Sequence, residues 1–123
     1  MTTFVKEGAE TVDAGLANMK TAMIDDYVDW HTRSANRKLR DINKKMILEY
    51  KDNFTITYGK KYIKITEKGG GVKAFVVGVD NDKVFKKGDI LKPAGYNAPA
   101  RNAARGNILE GNYAINWTGP LYL

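Results

Sequence analysis

Phe54-Thr55-Ile56-Thr57-Tyr58-Gly59-Lys60-Lys61-Tyr62-Ile63-Lys64-Ile65-Thr66 is the stretch on which the fold turns. Apolar and polar residues alternate on either side of Gly59-Lys60-Lys61, and a period of two sends successive side chains to opposite faces of a strand. Phe54, Ile56 and Tyr58 therefore define one half-buried strand. Ile63 and Ile65, opposed by Tyr62, Lys64 and Thr66, define the next, with the Gly-Lys-Lys segment turning the chain between them. Downstream, Glu67-Lys68-Gly69-Gly70-Gly71 reads as a loop. Ala74-Phe75-Val76-Val77-Gly78-Val79 is apolar on both faces, which predicts a central strand. Asp80-Asn81-Asp82 is turn chemistry. Val84-Phe85 and Ile90-Leu91 flank Lys86-Lys87-Gly88-Asp89, a tight-turn sequence. Short connections of this kind predict an antiparallel meander of three to five strands.

Beyond Leu91 the segment Lys92-Pro93-Ala94-Gly95-Tyr96-Asn97-Ala98-Pro99 leaves the sheet. Pro99 suits a first helical turn capped by Asn97 or Ala98, so a short helix is expected over 99–105 with Gly106 as its left-handed cap. Arg101 and Arg105 would then share a face. Ala114-Ile115-Asn116-Trp117 is a last extended stretch, and the tail Gly119-Pro120-Leu121-Tyr122-Leu123 is apolar.

Upstream the period is helical. Val12, Leu16, Met19, Met23, Tyr27 and Trp30 recur at steps of three and four, one stripe on a helix from Thr11 to about His31, with Gly15 weakening its first turn. A second stripe follows at Leu39, Ile42, Met46 and Tyr50, opposite Arg37, Lys38, Lys44, Lys45 and Lys51. The phase slips between Trp30 and Leu39, which favours two helices over one long bent one. The first nine residues are expected to be loose. The prediction is a single α+β domain over 1–123. It comprises an N-terminal helical arm or hairpin within 11–52, then a small antiparallel β-meander and one short C-terminal helix within 54–118.

The chain has 123 residues, 20 basic and 14 acidic, for a formal charge of +6. With no Cys and one His, disulfides, zinc ribbons, thiol catalysis and His-rich metal sites are excluded. No apolar run reaches the roughly 20 residues of a membrane helix, and Met1–Glu10 has no signal-peptide core. Residues 1–35 hold three basic side chains against six acidic ones, whereas 36–123 hold 17 against 8. A charge so polarised draws acidic surfaces and polyanions to one part of the molecule.

Several strings mimic functional motifs. Asp25-Asp26-Tyr27-Val28-Asp29 matches the D-D-x-x-D of enzymes that hold Mg²⁺ and a diphosphate, but those need a large all-helical bundle, and a solvated acidic helix face is the better reading. His31 lacks a nearby nucleophile in sequence and reads as structural. Gly69-Gly70-Gly71 before Lys73 lacks the spacing and the Ser/Thr of a phosphate-binding loop. Asp80-Asn81-Asp82 lacks the distal Glu of a calcium loop. No cofactor is expected. What remains is a set of cations interleaved with aromatics: Lys60, Lys61, Tyr62, Lys64, Lys73, Lys92, Arg101 and Arg105, with Tyr58, Tyr96 or Trp117 nearby. Tyr62 and Lys64 fall on one strand face, and a sheet face carrying aromatics within a basic rim can bind single-stranded nucleic acid or an acidic partner.

Lys61-Tyr62-Ile63-Lys64-Ile65, then Phe75, then Lys92-Pro93-Ala94, Ala98-Pro99 and Ala104-Arg105-Gly106-Asn107-Ile108 form a series that resembles small uncharacterised proteins of tailed bacteriophages, marine and cyanobacterial ones above all. The resemblance covers about residues 60–110. It implies a phage-type origin and action in the cytoplasm of a bacterial host, and brings no activity with it. Three functions are therefore expected in descending order. The first is a non-enzymatic module that binds a host or phage protein. The second is a nucleic-acid-binding accessory protein that uses the basic sheet face, and the third a small enzyme. No membrane association is expected, and self-association through the helices or the apolar tail is a further expectation.

Overall fold

A computed structural model describes residues 3–32, 48–50, 52–68, 71–116 and 118–120. The fold is α+β, with antiparallel sheets packed on an N-terminal helix. Helix α1 spans Val12–Thr32. Thr11 caps it, its Oγ1 accepting the Ala14 amide at 3.1 Å, and Asp13 places a negative charge at the positive end of the helix dipole. The expected second helical stripe lies mostly outside the described residues, so the choice between one helix and two lies there as well. Residues 48–50 are helical, and Tyr50 stacks on Tyr27 at 4.0 Å between ring centroids.

The alternating stretch folds as predicted. Strand β2 (Phe54–Tyr58) pairs antiparallel with β3 (Tyr62–Glu67), Ile56 opposite Ile65, around the Gly59–Lys61 turn. β3 pairs with β4 (Gly71–Val77), and β4 with the two-residue β5 (Ile90–Leu91), giving the order β2-β3-β4-β5. A bulge separates Ile65 from Thr66 in the β3–β4 register. β4 is apolar on both faces because both faces are covered. Ala74 and Val76 meet Leu16, Met19 and Met23 of α1, while Phe75 and Val77 meet Phe85 and Leu91 on the opposite side. Val84-Phe85 is not a strand; Phe85 serves instead as an apolar plug in that second cluster.

Two expectations are corrected. The first nine residues are not all loose: Thr3–Val5 forms β1 and pairs with β8 (Tyr113–Asn116), Phe4 opposite Ala114. Three residues are too few for a period to be read, yet Val5 packs against the core, and Ala9 donates to the Leu109 carbonyl at 3.0 Å. The short helix at 99–105 does not form. Pro93–Gly95 (β6) and Ala98–Pro99 (β7) make a small hairpin, and the chain runs on in irregular conformation with a bend at Asn102. Ala100 donates to the Lys92 carbonyl at 2.7 Å, Arg105 to that of Ile90 at 2.7 Å, and Ile90 to that of Gly106 at 2.8 Å. A seven-residue helix is marginal in water, since its nucleus costs more than so few bonds return. The open edge beside Ile90 supplies those bonds instead. Residues 92–105 thus form a strap along the sheet, and Gly119–Pro120 (β9) closes the β1-β8-β9 sheet.

Gly15 weakens helix propensity in isolation, but its missing side chain is what lets α1 seat. A Cβ there would stand 2.8 Å from the Ile108 carbonyl oxygen. Ile108 itself is fully buried in the core beneath the helix. Tyr113, also in that core, carries a buried hydroxyl with no hydrogen-bond partner among the described residues, and burial raises its pKa to about 12. A buried unsatisfied hydroxyl costs about 1–3 kcal/mol. Tyr113→Phe is therefore expected to leave stability unchanged or raise it by about 1 kcal/mol, read by denaturant unfolding. A loss of more than that would mean the hydroxyl is bonded in solution.

Candidate functional site

The predicted cations are sorted by the strap into two groups. The first gathers around Asp82. That residue opens a turn in which its Oδ1 accepts the amides of Val84 at 2.8 Å and Phe85 at 2.9 Å. The fixed carboxylate then receives Arg101 on both oxygens, Nη1 to Oδ2 at 3.0 Å and Nη2 to Oδ1 at 3.1 Å, and Lys61 Nζ on Oδ2 at 2.9 Å. Its side chain is 1% accessible, covered by these partners rather than by the core. Arg101 Nη1 also donates to the Tyr62 hydroxyl, and the guanidinium lies 4.9 Å from the Phe85 ring centroid. The Tyr62 ring meets Phe75 edge-on at 6.1 Å. Two residues along β3, Lys64 Nζ sits 4.1 Å from the exposed Tyr96 ring and donates to Asn97 Oδ1 at 3.1 Å. A cleft of about 280 Å³ lies among Lys60, Lys61, Tyr62, Lys64, Phe75 and Asn97. Five of the eight predicted residues therefore converge: Lys60, Lys61, Tyr62, Lys64 and Arg101.

The other three, Lys73, Lys92 and Arg105, line a separate cleft of about 440 Å³ with Asn102 and Thr118. Arg101 and Arg105 do not share a helix face, because the irregular strap sends one toward Asp82 and the other toward this cleft. Lys73 is paired with Glu67 at 3.1 Å. Of the aromatics expected nearby, Tyr96 belongs to the first group. Tyr58 lies on the α1 side of the sheet, where its hydroxyl donates to Asp13 Oδ1 at 2.6 Å, and that bond raises its pKa. Trp117 is outside the described residues, as are Gly69, Gly70 and the side chains of His31 and Asp29. In the D-D-x-x-D string Asp25 is exposed, but Asp26 is buried and accepts Thr3 Oγ1 at 3.3 Å. The acidic string is thus not wholly a solvated face.

Sequence reading missed Asp82 as the organiser. Its only sign was an Asp two and three residues ahead of the amides it caps. The Arg101 bond, then the Phe85 amide, Lys61 and the Val84 amide hold its carboxyl well below the usual aspartate range. Unfolded aspartate titrates near 3.9, so the depressed group adds stability above that pH and loses it as pH falls toward its folded value. The stability difference between the wild type and Asp82→Asn should therefore shrink as melts are taken from about pH 6 to about pH 2. A difference constant over that range contradicts the ion-paired carboxylate.

Among the described residues no group of three or more His, Asp or Glu is placed to hold a metal, and no helix is long and apolar enough to cross a membrane. The class defined by this fold and site is a small α+β protein with a pinned cationic surface. The chain belongs to DUF7717, a family of unknown function, which matches residues 3–123. No curated protein and no solved structure matches it.

Proposed function

We propose that this chain is a non-enzymatic binding module that docks an acidic surface of another protein, in a bacterial host cell, through the cations gathered around Asp82. The observation that carries the reading is the bidentate Arg101–Asp82 pair with Lys61 on the same carboxylate. Cations held in place before contact lose less side-chain entropy on binding than free lysines do. Lys60 and Lys64, beside them on the cleft, add net positive charge that speeds encounter with an acidic partner.

Single-stranded nucleic acid is the second reading, and the same geometry makes it the weaker one. Stacking needs open ring faces. Tyr62 is set against Phe75 with its hydroxyl engaged by Arg101, which leaves Tyr96, exposed but with Lys64 over one face, as the one ring of the cluster open to a base. A small enzyme is the least supported, because no nucleophile–base–orienter set lies among the clustered residues.

The test is capture from bacterial lysate at low salt by the wild type and by the double variant Lys60→Glu/Lys64→Glu, with and without nuclease. The reading expects partners that survive nuclease, elute as ionic strength rises, and fall about tenfold in recovery with the double variant. Partners lost on nuclease treatment would favour nucleic acid. Equal recovery by the double variant would overturn the docking surface.

A further inference from the structure

We infer that β2 (Phe54–Tyr58) is a dimerisation edge, along which a second copy of this chain lays its own β2 antiparallel to make one continuous sheet. The far side of the four-stranded sheet is closed, because Ile90 donates to the Gly106 carbonyl at 2.8 Å and Arg105 to that of Ile90 at 2.7 Å. β2 stands at the other end of the order, and among the described residues no strand pairs with its outer side. The two ends of the β2–β3 ladder fix which backbone groups face that side. Gly59 donates to the Tyr62 carbonyl at 2.9 Å, and the Asn53 carbonyl accepts the Lys68 amide at 3.0 Å. Bonding alternates along an antiparallel pair, so Asn53, Thr55, Thr57 and Gly59 direct their backbone groups to β3, whereas Phe54, Ile56 and Tyr58 turn theirs outward. Thr55, Thr57 and Tyr58 are exposed along this edge. The strand carries neither proline nor charge, and its register with β3 has no bulge, the devices that keep edges from pairing.

The sequence of the edge names its occupant. Phe-Thr-Ile-Thr-Tyr reads nearly the same in both directions. Turned about a two-fold axis at Ile56, it sets Ile56 against its own copy, Thr55 opposite Thr57 and Phe54 opposite Tyr58 across the two chains. This register faces outward groups with outward groups, so each such pair exchanges both amide–carbonyl bonds. Opposed aromatic and threonine pairs add to the stability of a sheet. The charges just beyond the strand agree with the same register. Asp52 of one chain falls beside Lys60 of the other, at both ends of the pairing. Both residues are exposed, and neither is ion-paired among the described residues. Within one chain they cannot meet, since the five residues of β2 hold them roughly 17 Å apart. Parallel pairing would instead bring Asp52 beside its own copy. Five residues a side is small against the roughly 20–30 of a standard interface, so the dimer is reversible and forms as concentration rises.

The experiment is sedimentation equilibrium of the full chain from about 10 μM to about 1 mM, with amide hydrogen exchange by NMR at both ends of that range. A monomer–dimer equilibrium is expected. The amides of Phe54, Ile56 and Tyr58 should exchange at least about threefold more slowly at the high concentration, while those of Thr55 and Thr57, already turned to β3, stay slow throughout. Asp52→Lys sets like charges together at both ends and should weaken dimerisation about tenfold. The exchanged pair Asp52→Lys/Lys60→Asp should restore it, a rescue that requires contact between two chains. A monomer at every concentration, a dimer whose newly protected amides lie elsewhere, or an exchanged pair no tighter than Asp52→Lys would each overturn the inference. The wild-type exchange map decides the matter even if a variant fails to fold. The purified chain alone gives this result, so the dimer edge and the docking surface can fail separately.

Discussion

Asn107→Ala is expected to destabilise the protein by about 3–4 kcal/mol, lowering the melting temperature by roughly 10–15 °C. The side chain is buried and uses all its hydrogen-bonding capacity. Its Nδ2 donates to the Lys87 carbonyl at 3.0 Å and to Asp89 Oδ1 at 2.9 Å, and its Oδ1 accepts the Leu109 amide at 2.8 Å and the Glu110 amide at 3.0 Å. Asp89 is itself buried, and its other oxygen accepts the Lys86 amide at 2.9 Å. Truncation strands a carbonyl, two amides and part of a carboxylate in a partly buried turn, and groups deprived of partners there carry much of their desolvation cost. Asn107→Asp should fare no better, since it sets a second carboxylate against Asp89 and an acceptor against the Lys87 carbonyl. Denaturant unfolding of both variants checks this. A loss under about 1 kcal/mol in each would mean that the network does not tie the β5 approach to the 106–111 turn.

Gly106→Ala carries the second large effect, about 3 kcal/mol of destabilisation. The residue sits at φ 147°, which side-chain-bearing residues rarely adopt, and a Cβ there would reach Tyr113 Cγ at 2.9 Å. Tyr113 is buried in the α1 core, so the ring has little room to retreat. Backbone movement is opposed as well, because the Gly106 carbonyl accepts the Ile90 amide at 2.8 Å and so anchors the strap to the sheet. Gly95 provides the control: a Cβ there meets nothing within 4 Å. Gly95→Ala should be neutral or stabilising by up to about 1 kcal/mol, through the less flexible unfolded chain. Thermal melts that rank the two variants alike would contradict the close approach of Gly106 and Tyr113.

The parts of the fold that were legible are those where one residue pattern meets one kind of surface. The alternation from Phe54 to Thr66 gave β2, its turn and β3. The run at 74–77 gave a strand buried on two faces, and the stripe from Val12 through Tyr27 gave α1. What was not legible depends on partners distant in sequence. Ala100–Arg105 has helix-forming composition, but the bonds that decide its shape come from Lys92 and Ile90. Thr3–Val5 becomes a strand because β8, over a hundred residues away, offers an edge. For the site, Tyr62 and Lys64 were placed together because strand periodicity is local. Asp82 was read as a turn residue because its role as anchor for Arg101 and Lys61 appears only once the strap lies over the sheet. The division of the eight predicted residues between two clefts follows from the same event. A non-helical strap separates Arg101 from Arg105, where a helix would have joined them.

The docking surface depends above all on Arg101 being locked on Asp82 before any partner arrives, and the Nη resonances of Arg101 in ¹⁵N NMR of the free protein test that directly. Two distinct Nη signals are predicted, slowed in rotation about the Nε–Cζ bond, and they should collapse to one averaged signal in Asp82→Asn. A single averaged signal in the wild type, unchanged by that substitution, would contradict the pinned cationic surface and remove the observation on which the proposed docking role rests.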